Sequence, residues 1–391
     1  MKRAVPEGFA ERLLAWYDRA GRHDLPWQHP RTPYRVWVAE IMLQQTQVAT
    51  VIPYFRRFVE HLPDVEALAE ASLDEVLALW AGLGYYARAR NLHAAAREVM
   101  HRRGGRLPES VGGWRALPGV GRSTAGAIVA QATGRRAAML DANARRVLAR
   151  HSGVAGWPGE PAIARRLWEL AERRLPETHL ADYTQALMDL GATVCTPRHP
   201  RCAECPLAAD CVAFRLGRTA EIPARRARRP RRIRSFEVLL LRDARARWLL
   251  VRRPERGIWG GLWCPPLVEE EGGAAEALAR RAACDALGVA TSDWRPLAPV
   301  THGLTHLELH LHPVIACARR TRAARGDELR WSGASELRAC GLPAPMRRIL
   351  EDAALRARPD PRTEQSAAGQ NAQGPGSCST QTRAAPSPRS P

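Results

Sequence analysis

Four of the nine cysteines stand close together, as Cys195, Cys202, Cys205 and Cys211, in the spacing C-x6-C-x2-C-x5-C after a helical segment that ends near Thr193. A disulfide framework fits poorly with a chain that shows no secretion signal, so the pattern points to metal ligation. Four thiolates accept either zinc or an iron–sulfur cluster, and spacing leaves both open. A second constellation is Leu117-Pro118-Gly119-Val120-Gly121-Arg122-Ser123-Thr124, a glycine-bounded turn between two helical patterns. Such a turn gathers bare backbone amides and a helix N-terminus at one point, where a phosphate can be held without base readout. A tight helix–helix corner with no ligand is the alternative.

Two carboxylates complete the chemistry. Glu40 lies in Val38-Ala39-Glu40-Ile41-Met42-Leu43-Gln44-Gln45-Thr46-Gln47. On a continuous helix Glu40, Gln44 and Gln47 share one face opposite the apolar stripe, which sets an acid/base group beside amides or leaves a solvated polar face. Asp141 precedes Ala142-Asn143-Ala144-Arg145-Arg146-Val147-Leu148, a good helix start, and reads as an N-cap. A cap facing a cleft can also stabilise a developing cation. Schiff-base chemistry needs a free amine, and Lys2 is the only lysine in the chain.

The elements that must position these groups fall into distinct textures. Residues 1–215 are expected to form a mostly helical unit, with the cysteine loop at 195–211. Residues 216–234 read as a basic connector whose arginines and prolines argue against a packed element. Residues 235–357 read as mixed α/β: Val238–Leu241 and Trp248–Val251 look like strands flanking a turn, Leu307, Leu309 and Leu311 alternate with polar residues, and helical patterns fall near 274–287 and 343–357. Residues 358–391 are rich in Pro, Ser, Gln and Gly, and a disordered tail is expected. The formal net charge of +19 suits a polyanion partner such as nucleic acid. No apolar run reaches the roughly 18 residues of a membrane span, and Met1 to Arg12 lack the apolar stretch of a secretion signal. A cytoplasmic chain with no membrane partner is the expectation.

Taken together these motifs resemble the helix-hairpin-helix DNA glycosylases that carry an iron–sulfur cluster, and within them the adenine-specific branch. The resemblance covers about residues 8–350. It includes Leu25-Pro26-Trp27, Met42-Leu43-Gln44-Gln45-Thr46-Gln47-Val48, Gly82-Leu83-Gly84-Tyr85-Tyr86-Ala87-Arg88-Ala89-Arg90, the hairpin, the four cysteines and Trp259-Gly260-Gly261-Leu262-Trp263. It implies a mostly α N-terminal glycosylase domain, one [4Fe-4S] cluster on the four cysteines, and a monomer acting on duplex DNA with adenine opposite 8-oxoguanine or guanine. It further implies Glu40 as the acid that protonates a flipped adenine, and Asp141 as the carboxylate that stabilises an oxocarbenium-like sugar. Asn143, Tyr183 and Arg31 are then candidates for the adenine pocket. Gln44 and Tyr85 resemble residues that wedge into the base stack, and Gly119, Gly121 and Ser123 lie in the DNA-binding hairpin.

The related strand-cutting pattern has a lysine at the position of Ser123. Its replacement by a hydroxyl implies base removal with little strand cleavage. The C-terminal segment resembles a Nudix domain that has lost its hydrolytic carboxylates: Arg281 and Asp285 remain, while Ala282 and Ala286 stand where two metal-binding glutamates belong, too few for magnesium. Its implied role is lesion reading by Leu304-Thr305-His306, where the family has Phe-Ser-His. Ala142 replaces a usual glycine, which matters if that position needs a positive φ. His302, His306, His310 and His312 could suggest a metal, although strand alternation explains the last pair.

Overall fold

The computed structural model describes residues 8–226, 230–270, 275–320 and 328–356. Lys2, part of the basic connector (227–229) and the tail 358–391 lie outside them. The chain divides into two compact units, residues 1–346 and 347–391. Among the described residues no helix is long and apolar enough to cross a membrane.

The first part is helical, as expected. It contains α1 (Phe9–Ala20), α2 (Pro33–Leu43), α3 (Val48–His61), α4 (Val65–Glu70), α5 (Leu73–Trp80) and α6 (Ala87–Arg103). Then follow α7 (Val111–Arg115), α8 (Arg122–Thr133), α9 (Ala142–His151), α10 (Pro161–Arg173), α11 (Leu180–Asp189) and α12 (Val212–Arg215). Helix α2 starts cleanly because Thr32 accepts from the Arg35 amide at 3.3 Å and Pro33 sits in the first turn, where its missing N–H costs nothing. It is not amphipathic: Tyr34, Val36, Trp37, Val38, Ala39, Ile41 and Met42 are all buried, so it runs through the interior. Trp37 packs on Trp114 with ring centroids 5.3 Å apart.

Helix α2 also ends earlier than its apolar spacing suggests. Residues 44–47 form a turn, with Gln45 at φ +60°, and the next helix begins at Val48. The shared face expected for Glu40, Gln44 and Gln47 therefore does not exist. Arg88 of α6 makes the break tolerable by donating to the carbonyls of Ile41 (3.1 Å), Met42 (2.6 Å) and Gln44 (2.6 Å), which a helix end leaves without partners.

The second texture is a sheet with the order β3-β2-β1-β7-β5, built on β1 (Arg232–Arg242), β2 (Trp248–Arg252), β3 (Trp263–Cys264) and β4 (Leu267–Glu269). Its remaining strands are β5 (Val289–Pro296), β6 (Val300–Gly303), β7 (Leu307–Arg320) and β8 (Leu329–Ser332), with helices α13 (Ala275–Ala286), α14 (Ala334–Ala339) and α15 (Ala344–Arg356). Strands β1 and β7 run parallel from Arg232↔Leu307 to Arg242↔Cys317. The buried run Phe236–Leu241 has the continuous character of a strand covered on both faces.

The basic connector differs from its expectation at both ends. Ile222 is buried, Ala224 donates to Gly156 O at 3.0 Å, and Arg226 lies over the Trp157 ring, so its first half packs. Arg232, Ile233 and Arg234 already belong to β1. A β ladder bonds through the backbone, so exposed arginine side chains at its end do not prevent pairing.

Candidate active site

Helices α2, α8 and α9 bring the carboxylates together. Glu40 is half-buried on α2, and Gln131 of α8 donates Nε2–H to its Oε1 at 2.8 Å. Burial is the main influence on Glu40 and pushes its pKa up to about 7; the Gln131 bond lowers it, and the nearby charge of Asp141 raises it. Asp141 caps α9, accepting from the Ala144 amide at 2.7 Å. Burial raises its pKa too, but the Ala144 and Asn143 amides, Arg146 and Arg145 all act in the opposite direction. The two environments thus differ in kind. Asp141 has amides and guanidinium groups to hold its charge, while Glu40 has one neutral amide and a carboxylate neighbour. Ala142 is absent from the residues with positive φ, so the alanine meets no backbone strain there.

The hairpin sits beside Asp141. Gly119 has φ +76°, and a Cβ there would stand 2.8 Å from Asn91 Cβ, so both conformation and space call for glycine. Gly126 lets α8 approach the chain before Asp141, since a Cβ would fall 2.0 Å from Ala138 O. Gly121, at the start of α8, has open space around it. Ser123 turns inward: its Oγ accepts from the Leu140 amide at 3.0 Å, tying the hairpin helix to the residue before Asp141. Gln44 reaches across to the hairpin, with Nε2 3.3 Å from Thr124 Oγ1.

Other expected pocket residues are more dispersed. Arg31 pairs with Asp182 of α11 at 3.2 Å. Asn143 accepts from Arg146 at 2.8 Å, and Arg146 also donates to Cys195 O (2.6 Å) and Gly191 O (2.6 Å). Tyr183 lies in the hydrophobic core, near Phe9, with its hydroxyl buried and without a hydrogen-bond partner. No hydrogen bond joins it to Glu40 or Asp141. Sequence reasoning missed Gln131, Arg88 and Arg146. Gln131 is a polar residue on an otherwise apolar helix face, which is the one signal that was there to find.

The four cysteines are free thiols that line one cavity, with Val147, Arg150, Leu190 and Val194 among its walls. A π-helical turn, Leu190–Val194, delivers the first of them, with the Cys195 amide bonded to Leu190 O at 2.7 Å. Arg150 lies 3.3 Å from Cys195 Sγ through Nη1 and donates to Thr196 O at 2.7 Å. Burial holds the thiols of Cys202, Cys205 and Cys211 above their usual range, Cys205 up to about 12, and the mutual repulsion of the group adds to it. Four soft donors, three of them held protonated by burial, line a cavity with a guanidinium at its wall and fit a multi-iron centre whose positive charge would draw off protons. Among the described residues no three Cys, His, Asp or Glu side chains converge as a single metal ion would need.

Beyond the helices, Tyr85 is 46% exposed and left-handed at φ +50°; its hydroxyl meets Thr305 Oγ1 at 2.9 Å. Leu304 and His306 flank that threonine, with the Leu304 amide bonded to Leu307 O at 2.8 Å. Arg90 donates to Gly260 O and to Glu255 O (3.2 Å), so the Trp259–Trp263 loop is gripped by α6. Asp74 of α5 receives Arg252 and the Trp263 indole, the latter at 3.2 Å. The histidines go to separate neighbours: His310 to Glu308, His312 to Glu270, and His302 towards Trp259.

Three family models match the chain. They are the HhH-GPD superfamily of base excision DNA repair proteins over residues 38–173, the iron–sulfur binding domain of endonuclease III over 195–211, and the NUDIX domain over 237–352. The adenine DNA glycosylase of Buchnera aphidicola subsp. Schizaphis graminum is 31% identical over 345 residues, spanning 88% of this chain and 98% of its own length. That of Homo sapiens is 36% identical over 358 residues, spanning 78% of this chain and 64% of its own. A solved thermostable thymine-DNA glycosylase has 32% identity and a TM-score of 0.49 over 53% of this chain and 95% of that one.

Proposed function

From the premise that the chain belongs to the adenine DNA glycosylase family, and so is a DNA N-glycosylase of base excision repair, we propose that it hydrolyses adenine from duplexes in which adenine faces 8-oxoguanine or guanine. The observation that carries this reading is a half-buried Glu40 carboxyl that no cation neutralises, its pKa pushed up to about 7, beside the capped Asp141. A neutral adenine leaves poorly. Glu40, protonated near neutral pH, supplies the proton to the base and, once ionised, helps activate water. Asp141, whose charged form its amides and arginines favour against burial, faces the positive charge that grows on the sugar, much as a carboxylate does in sugar hydrolysis. A stacked base is out of reach of both, so the adenine must flip into the cleft. Arg31 and Asn143 are its candidate contacts; Tyr183, with no bond to either carboxylate, supports the pocket from the core.

Gln44 and Tyr85 act as the wedges, and the hairpin of Gly119, Gly121 and Ser123 holds phosphate through its backbone. The segment 235–357 reads the opposite base through Leu304, Thr305 and His306, and what supports this is the Tyr85–Thr305 contact, which joins a wedge to the reading loop. The cysteines hold one [4Fe-4S] cluster, which supplies a structural staple for the loop 195–211. Ser123 bonds inward, where a strand-cutting relative has its lysine, so the product is an intact strand bearing an abasic site.

The test is incubation with duplexes carrying adenine opposite 8-oxoguanine, adenine opposite guanine, or thymine glycol, with and without alkali. Alkali-dependent breaks at adenine are expected. Efficient borohydride trapping that survives Lys2→Ala, or a preference for thymine glycol, would overturn the reading.

A further inference from the structure

Gln131 is 3% exposed, and its side chain makes one bond, from Nε2 to Glu40 Oε1 at 2.8 Å, while its own Oε1 is buried with no partner. A buried amide with half its capacity unmet costs free energy, and leucine would fill a helix interior such as α8 at no such cost. Its neighbours Ala127, Ile128, Val129 and Ala130 are indeed apolar and buried. The cost is offset only by what the amide does for Glu40.

We propose that Gln131 is a positioning residue for Glu40: it anchors one carboxyl oxygen to α8, leaves Oε2 as the working oxygen, and stabilises the ionised form so that the proton can be given up. This rests on Glu40 being the acid. Oε2 of Glu40 has no hydrogen-bond partner among the described residues. When Glu40 is ionised, and equally when it carries its proton on Oε2, the amide donates to Oε1. The bond to the charged form is the stronger, so the net effect is to favour ionisation. The charged groups of Asp141 and of the helices packed against α2 leave this task to Gln131. Asp141, at the start of α9, opposes ionisation. Arg88 of α6 is committed to the carbonyls ending α2, and Arg57 of α3 donates to Leu79 O at 2.7 Å and lies over the Tyr54 ring.

The experiment is the pH profile of single-turnover adenine release by the full-length, cluster-loaded protein. Gln131→Leu and Gln131→Met keep the volume and remove the donor; both should move the alkaline limb up by about one pH unit and lower the plateau about tenfold. Gln131→Glu, close to isosteric, adds a second carboxyl and should move the limb further still. Limbs that coincide with the unmodified protein's, or rates reduced equally at every pH, would overturn the proposal, because a purely structural role scales the rate without moving the limb. Glu40→Gln is run in parallel. If it keeps full activity, the assignment of the acid has failed; if it is inactive while the Gln131 limbs stay fixed, only the role of Gln131 has failed.

Discussion

Two glutamates, one in each half of the molecule, show opposite ways of living with little water. Glu40 on α2 has a neutral amide for a partner and another carboxylate for a neighbour. Glu237 on β1 is more deeply buried at 6% exposure, yet Arg280 of α13 grips both of its oxygens, one through Nε at 2.7 Å, and that guanidinium lies over the Trp294 ring. An isolated buried charge is expensive, and a protein meets the expense by supplying a counter-charge or by keeping the group protonated. The sheet half does the first, which ends any use of Glu237 as a base or metal ligand. The helical half does the second, which leaves a proton to spend. In the reading proposed above, chemistry belongs to the carboxyl left without a cation, whereas the buried glutamate of the Nudix-like half is held by Arg280.

The comparison breaks most visibly if both glutamates are neutralised in turn. Glu40→Gln is expected to slow adenine release about a thousandfold, whereas Glu237→Gln should leave single-turnover rates within about twofold. Equal losses would erase the distinction. Glu237→Ala should instead lower the free energy of unfolding by about 3 kcal/mol, read by denaturant melts, because Arg280 is left without its counter-charge.

Stability also sharpens the contrast through pH. The folded pKa of Glu40 is raised from 4.5 to about 7, so the protonated carboxyl costs nothing below pH 4.5, and the penalty grows as pH rises through the folded value. Glu40→Gln should therefore gain stability over the unmodified protein by about 2 kcal/mol between pH 5 and pH 8, measured as a rising difference in melting midpoint. A constant difference would mean that Glu40 is not protonated at neutral pH. The smallest effect belongs to the joint between the halves. Thr305→Ala removes the contact with Tyr85 and should lower the ratio of rates on 8-oxoguanine over guanine duplexes about threefold, with the rate on guanine duplexes unchanged.

Spacing made the four cysteines, the hairpin and the cap at Asp141 legible, because ligand sets, glycine turns and helix starts are written in short stretches of chain. The strands of β1, β2 and β7 were legible for the same reason. Glu40 was visible as a residue but not as an environment: the helical wheel placed it on a polar face, whereas α2 is buried on nearly every side. The error arose at Gln44–Gln47, where the chain turns because Arg88, far along the sequence, takes the loose carbonyls. Gln131 was visible as an oddity but its role was not, for a similar reason. A lone polar residue on an apolar helix gains meaning only when its partner is known, and that partner is 91 residues away. The start of β1 was missed because composition reports side chains, and pairing with β7 is a backbone matter.

Arg146 carries a consequence for how the protein is made. Its guanidinium is fastened to Cys195 O, 49 residues downstream, and to Gly191 O, and it also donates to Asn143 at the start of α9. During synthesis α9 leaves the ribosome long before those acceptors do. On the reading proposed above, the helix that carries Asp141 is therefore made early but gains these bonds only once the start of the cysteine loop has been made, so the order of the one is tied to the order of the other.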